Sequence, residues 1–427
     1  MLPSGQGREA TVVFFALVLY SITTLISMAV MSIGVGILLA VTAWICFGRI
    51  RSNLNDSWVI RLFTSSVLLA LACIVSLILA QVNPLEYAGK AARIDLLSDT
   101  LKTWYLFFPF LLLLLFSQLK ESRQRQVLQT WIFAAGVLSV VAVIQFYTGF
   151  PRHQGIPMLP GRFHASLFFG HHLSTASILI FPFFVALSLS ISRVSAAGEY
   201  WKRRLIFWVS VLIGVALFLT WSRMLWISIP IGLFVWCFRM LKKFQIVGVG
   251  LLLFGMSLGL SQVPAIRDRI FSEMGTSERV ELWKANWDFF LKRPVLGIGW
   301  RKSEGLMGHY FEEKYPRDWS QRFVGHAHNN LLEMLSGVGL VGTLLWMYWN
   351  YLIFSMAIRS SRRTDIWGDV SWGIFCAWIV LHLNGLTQAN FWEGKVLHQM
   401  MWSIGLLLLC GVPRSKQREV SPLFRTP

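Results

Sequence analysis

At 427 residues the chain has room for two or three soluble domains, yet 55% of it is hydrophobic and only 14% is charged, with a mean hydropathy of +0.57. Soluble domains carry about 25% charged residues, and a deficit of this size is what repeated passage through hydrocarbon demands. The net charge of +18 is dispersed between apolar segments, with no basic run longer than Lys202-Arg203-Arg204, so nucleic acid is not an expected partner and membrane lipid is.

In chain order, apolar runs long enough to cross a bilayer fall near 11–29, 31–48, 58–80, 103–118, 128–148, 171–192, 205–222, 224–240, 245–262, 329–356, 367–388 and 396–412. The N-terminus shows no small-residue cleavage site after a short apolar core, so the first run is expected to be retained. The expected fold is all-α: a polytopic membrane protein of about twelve transmembrane helices. Residues 1–262 hold spans one to nine, 263–327 form one long connecting domain containing helices, 328–412 hold the last three spans, and 413–427 form a tail. The five cysteines lie in apolar segments without metal-type spacing and read as small core residues.

Basic residues orient the spans. Twenty-one of the 39 Lys and Arg fall in alternate connections, from Arg8 and Arg49 to Arg414 and Arg425. With both termini in the cytoplasm of a bacterial inner membrane this is the positive-inside pattern. The long 263–327 segment then lies in the periplasm. Within it, 278–291 has a helical period with Val280, Trp283, Trp287 and Phe290 on one apolar stripe. Thr276 or Ser277 is the expected cap and Pro294 the stop. A Trp-rich helix beside a membrane tends to lie in the interface.

Three outward arginines stand apart. Arg279 opens that helix. Arg223 sits in Thr220-Trp221-Ser222-Arg223, where two apolar runs meet with almost no loop. Arg162 lies in Pro160-Gly161-Arg162-Phe163-His164. Each reads either as a solvated or snorkelling side chain or as an anion ligand, for which the guanidinium fork suits phosphate better than lysine does. His171 and His172 begin a span and read as boundary residues. The outward histidines lack Cys or carboxylate partners at zinc spacing, so no metal is expected.

The run Gly325-His326-Ala327-His328-Asn329-Asn330 joins the long segment to a span, with Gly339 and Gly342 spaced for close approach of a neighbouring helix. A histidine at a helix start reads as a hydrogen-bonded boundary residue or as a neutral base, because that terminus disfavours imidazolium and favours phosphate. His326 is the second choice for such a base.

His328-Asn329, nine residues, Gly339, two residues, Gly342 and Thr343 resemble the signature of the bacterial O-antigen ligase family. About twelve spans with one large outward loop just before the histidine are also similar. The resemblance implies a GT-C type fold and a glycosyltransferase that moves O-antigen polysaccharide from undecaprenyl diphosphate to a sugar hydroxyl of lipid A-core. It implies His328, Arg223 and Arg279 as catalytic residues. Arg162, His326, Asn329 and Arg301 complete the expected substrate-binding set. The implied transfer is inverting, needs no cofactor, and survives a chelator. An O-antigen polymerase or a protein O-oligosaccharyltransferase would share the donor chemistry with another acceptor. A transporter would instead gather its polar groups at the membrane midplane.

Overall fold

In the computed structural model the described residues are 4–46, 56–151, 157–159, 161–192, 200–264, 267 and 276–411. The expected tail 413–427, Arg49, Arg51, Arg152, Arg193 and part of the 263–327 segment lie outside them.

The first half comprises α1 (Ser4–Thr23), α2 (Met28–Cys46), α3 (Ser57–Val82), the hairpin β1 (Glu86–Tyr87) and β2 (Lys90–Ala91), α4 (Leu96–Leu101), a 3-10 turn (Lys102–Leu106), α5 (Phe108–Ser117) and α6 (Glu121–Thr148). A second hairpin, β3 (Pro157–Leu159) and β4 (Arg162–Phe163), precedes α7 (His172–Ser190), α8 (Tyr200–Leu219), α9 (Arg223–Met240) and α10 (Lys243–Ser261). Then come α11 (Thr276–Lys292), α12 (Ser303–Lys314), α13 (Asn330–Ser361), α14 (Ile366–Asn384) and α15 (Gly394–Gly411).

The protein is an all-α polytopic membrane protein, and each of the twelve apolar runs carries helix. Among the described residues seven helices are long and apolar enough to cross a membrane, and the pair α4 with its 3-10 turn and α5, bent by 41°, makes an eighth. Pro109, early in α5, suits that break because proline tolerates a helix start and not an interior. The other four runs are held by α1, α8, α10 and α15.

Burial separates the centre from the rim. Every residue from Ser174 to Ala186 in α7 and from Val396 to Cys410 in α15 is buried. By contrast, Ile33 and Trp44 of α2 and Ile227, Phe234 and Phe238 of α9 are exposed. A helix apolar all round with one side uncovered is solvated by lipid, since its backbone groups are satisfied internally.

Alternate connections collect at opposite ends. At one end Arg293 bonds to Asn83, Ala165 N to Leu219 O, and Asn330 N to Gly385 O. At the other, Arg123 reaches Ala10 O, Arg239 reaches Asp369, and Arg363 reaches Cys410 O.

The first of these ends carries a small second core. Leu282, Ala285 and Phe289 of α11 pack with Tyr87, Ile298, Leu306, Met307, Tyr310 and Phe311. The expected stripe on α11 is not this face: Val280 and Trp287 are exposed. The periodicity located an apolar face, and the helix has two, one packed on protein and one left uncovered.

Gly339 plays a different part from the helix-packing one its spacing suggested. It interrupts α13 with φ 64° and ψ −166°. Into the break runs the backbone of 294–299. Ile298 N donates to Ser336 O at 2.9 Å, Gly299 N to Gly337 O at 3.1 Å, Leu340 N to Pro294 O at 2.8 Å, and Val341 N to Val295 O at 3.2 Å. A Cβ on Gly339 would come within 2.4 Å of the Val295 carbonyl, and one on Gly297 within 2.4 Å of the Gly337 carbonyl. Two backbones at this separation exclude any side chain, and the interrupted helix finds its missing hydrogen bonds in the inserted segment. Gly342 lies instead against the Val338 side chain.

Candidate functional site

Asn329 is the N-cap of α13. Its Oδ1 accepts from Leu332 N at 3.0 Å, and its Nδ2 donates to Leu386 O at 2.9 Å. The next residue, Asn330, is buried and donates from Nδ2 to Asn390 Oδ1 at 2.8 Å while accepting from Phe391 N at 3.1 Å. The start of α13 is thereby fixed to the connection between α14 and α15. One turn further, the buried Glu333 carboxylate accepts from Ala327 N at 2.9 Å and from Ser303 Oγ at 2.8 Å. It ties the segment before the helix to the first residue of α12.

His328 is held between these two anchors, one on Ala327 and one on Asn329. Its φ of 47° lies in the left-handed region, which non-glycine residues rarely occupy and which persists only where surroundings impose it. The imidazole is half-buried. Its Nδ1 is buried and makes no hydrogen bond among the described residues. Burial, then the charges of His326, Arg279 and His171, push its pKa down to about 3. The ring is therefore neutral, through burial first and neighbouring charges second.

Arg279, in the first turns of α11, is half-buried too. Burial first and the Arg223 charge second lower its pKa, against Glu278. Arg223 opens α9 behind Ser222, directly after Trp221, whose φ of 58° is again left-handed. Thus Arg223 acts on Arg279, and Arg279 on His328. Arg279 on α11 is within electrostatic reach of Arg223 at the start of α9 and of His328 before α13.

His326 joins this group as expected, and His164, His171 and His172 extend it. The His326 and His328 ring centroids are 4.3 Å apart. His171, the N-cap of α7, has an exposed edge yet is crowded enough that burial lowers its pKa, with Glu393 opposing and Lys395 and His326 adding to the fall. His172 lies 5.1 Å from His171 and stacks at 4.0 Å on His164, which contacts Thr220 O at 3.3 Å. Five of the nine histidines therefore line one surface between α7, the β3–β4 hairpin and the start of α13. Their numbers, 164 to 328, give no hint of it. The one local signal was the adjacent pair His171-His172.

The remaining expected residues scatter. Arg162 is exposed on the second hairpin, with its guanidinium 4.8 Å from the Tyr147 ring centroid. His164, two residues on, is its link to the group. Arg301 has φ 60° and lies over Trp300 at 5.8 Å, where its charge acts on Tyr105. It lies with α4 and the turn after it, and no contact joins it to His328 among the described residues. No set of three metal-ligating side chains gathers anywhere among them.

Seen chemically, the group is a neutral imidazole with a buried nitrogen that makes no hydrogen bond among the described residues, near a half-buried guanidinium that feels the charge of a second one. Such perturbed titratable clusters mark functional sites. No curated protein matches the chain. Residues 208–347 match the family model described as O-antigen ligase, a stretch running from α8 past the break in α13 and containing Arg223, Arg279, His326 and His328. Over that stretch, about a third of its length, the chain is similar to the O-antigen ligase family.

Proposed function

We propose that the protein is a glycosyltransferase that moves O-antigen polysaccharide from undecaprenyl diphosphate to a sugar hydroxyl of lipid A-core. The observation that carries this reading is the electrostatic grouping of His328 with Arg279 and Arg223 inside the matched family stretch. His328 takes the proton of the acceptor hydroxyl. The oxygen attacks the anomeric carbon, and the bond from that carbon to the carrier breaks, its electron pair leaving on undecaprenyl diphosphate. One displacement inverts the anomeric centre. Arg223 and Arg279 bind the diphosphate and stabilise the charge it gains. A neutral base is worth roughly 10²–10⁴-fold in such a step. Arg162 and His326 assist at the rim, and Asn329 holds the base in place.

The site faces the periplasm in this reading, with both termini in the cytoplasm of the inner membrane. Its support is that Arg123, Arg239 and Arg363 gather at the end opposite His328. The overall architecture is read as GT-C type.

The test is transfer from a polyprenyl-diphosphate-linked glycan to lipid A-core by the full chain in lipid nanodiscs. Transfer is expected with wild type, including in EDTA, and not with His328→Ala. Glycan growth on the carrier instead would make the chain a polymerase. Glycan on protein would make it a protein oligosaccharyltransferase, and loss of activity in EDTA would overturn the metal-free mechanism.

A further inference from the structure

A cleft of about 310 Å³ lies away from His328, between the end of α3 and the segment following α11. Leu79, Leu85, Val295 and Leu296 form its apolar walls. Lys292 and Arg293 line it as well, and no carboxylate does. Arg293 Nη2 donates to Asn83 O and Oδ1 at 3.1 and 2.9 Å, and the Lys292 ammonium stands 4.3 Å from the Tyr87 ring centroid. Leu79 and Val82 are 43% and 77% exposed on the last turn of a membrane-spanning helix. The cleft therefore opens sideways, toward lipid, at the level where a span ends. Two cations above apolar walls at that depth match an amphiphile with an anionic headgroup.

We propose that this cleft holds the phosphorylated, membrane-embedded end of the acceptor glycolipid, an assignment that rests on the ligase reading above. Two observations favour that occupant over bulk phospholipid. First, α11 runs unbroken from Arg279 to Lys292, so the cleft stands about 20 Å from the proposed diphosphate site at 1.5 Å per residue. An acceptor whose reacting sugar is separated from its phosphates by several sugar units spans such a distance, whereas a phospholipid headgroup does not. Second, the cleft floor is the 294–298 backbone that inserts into the break of α13, the helix that begins beside His328. An acceptor seated there contacts the element that carries the base.

Steady-state transfer by the full chain in nanodiscs, with lipid A-core and with its enzymatically dephosphorylated form as acceptors, tests this. Lys292→Gln and Arg293→Gln are each expected to raise the acceptor KM about fivefold, taking roughly 1 kcal/mol per cation at a lipid surface. The donor KM and the rate at saturating acceptor should stay within about twofold. Dephosphorylated acceptor should show the raised KM with wild type, and the variants should then add nothing. Unchanged acceptor KM in both variants would overturn the proposal, as would equal use of both acceptors by wild type. So would a KM that follows the phosphatidylglycerol content of the nanodisc rather than acceptor phosphate. A fall in thermal stability alone would leave the two cations as complements to the end of α11 and would equally overturn it. Because wild-type transfer to either acceptor is measured first, failure of the ligase reading is seen separately.

Discussion

Three arginines at the far end of the helical bundle and the arginines of the candidate site stand in different surroundings. At the end away from His328, Arg239 bonds to Asp369 at 2.7 Å, Arg363 to Asp365 at 2.8 Å, and Arg125 to Glu121 at 2.6 Å. In these three pairs the guanidinium has its carboxylate in the fold. At the candidate site the charge acting most on Arg279 is another guanidinium, and histidines crowd the same surface. Folding alone gives no reason to bring like charges together in a half-buried place, since each raises the cost of the other. An anion bound beside Arg279 would offset that cost, and the proposed diphosphate is such an anion.

That contrast can be broken most decisively at His328. His328→Ala is expected to lower transfer by about 10²–10⁴-fold, the range for loss of a general base, while the protein still accumulates in the membrane. Normal glycan transfer by this variant in a reconstituted assay would remove the imidazole from the chemistry. Arg279→Gln comes next, with a loss of about 10²-fold for one electrostatic donor to developing charge. Arg279→Lys keeps the charge without the fork and should fall between. Arg239→Gln is the control at the other end. It strands the Asp369 carboxylate, so it should reduce stability by about 1–3 kcal/mol in a nanodisc melt and leave the turnover of folded protein near wild type. If Arg279→Gln instead destabilises and Arg239→Gln slows turnover, the distinction between the two ends is wrong.

Much of this organisation is legible in the residues themselves. Apolar runs separated by basic clusters fix where helices form and which ends share a face, because the cost of burying charge in lipid acts on each segment independently. The His328-Asn329 run is legible for a related reason: a cap and its neighbours are local. What escaped is non-local. Gly339 fits a helix-packing stripe as well as it fits a break, and only the inserted 294–299 backbone distinguishes the two. His164 and His171 sit more than 150 residues before His328, and Arg301, close to α12 in sequence, turns toward Tyr105 instead. Glu333 reads as an ordinary first-turn acid until its two donors, Ala327 and Ser303, are seen.

Glu333 sharpens the comparison on the stabilising side. Its carboxylate takes one donor from the His328 segment and one from α12, so Glu333→Gln keeps the volume but loses the charge that strengthens both bonds, and makes the Ser303 hydroxyl turn from donor to acceptor. The expected effect is a roughly tenfold fall in kcat, corresponding to about 1.4 kcal/mol of misplaced base, with little change in the donor KM. Glu333→Ala should cost more and also lower abundance. A raised donor KM with unchanged kcat would show that the residue shapes the diphosphate site rather than the position of the imidazole.

A last test concerns pH. In the ligand-free chain His328 has a pKa near 3 against 6.5 in an unfolded chain, so the folded state refuses a proton that the unfolded state accepts. The contribution to stability is complete above pH 6.5 and is lost as pH falls toward 3. Between pH 7 and 5 the loss is about 2 kcal/mol by linkage. His328→Gln removes this one titration, so its melting temperature should decline less over that interval than wild type does. Catalysis carries the opposite sign of correction. A bound diphosphate adds negative charge beside a ring whose pKa is held down partly by Arg279, and so raises that pKa. The acid limb of kcat, which reports the bound enzyme, should therefore lie at higher pH than the acid limb of kcat/KM, which reports the free one. Arg279→Gln should move the free-enzyme limb upward as well, because the cation that helped to keep the imidazole neutral is gone. Coincident limbs in wild type would mean that the diphosphate binds too far from His328 to be felt, and the shared site would have to be divided into two.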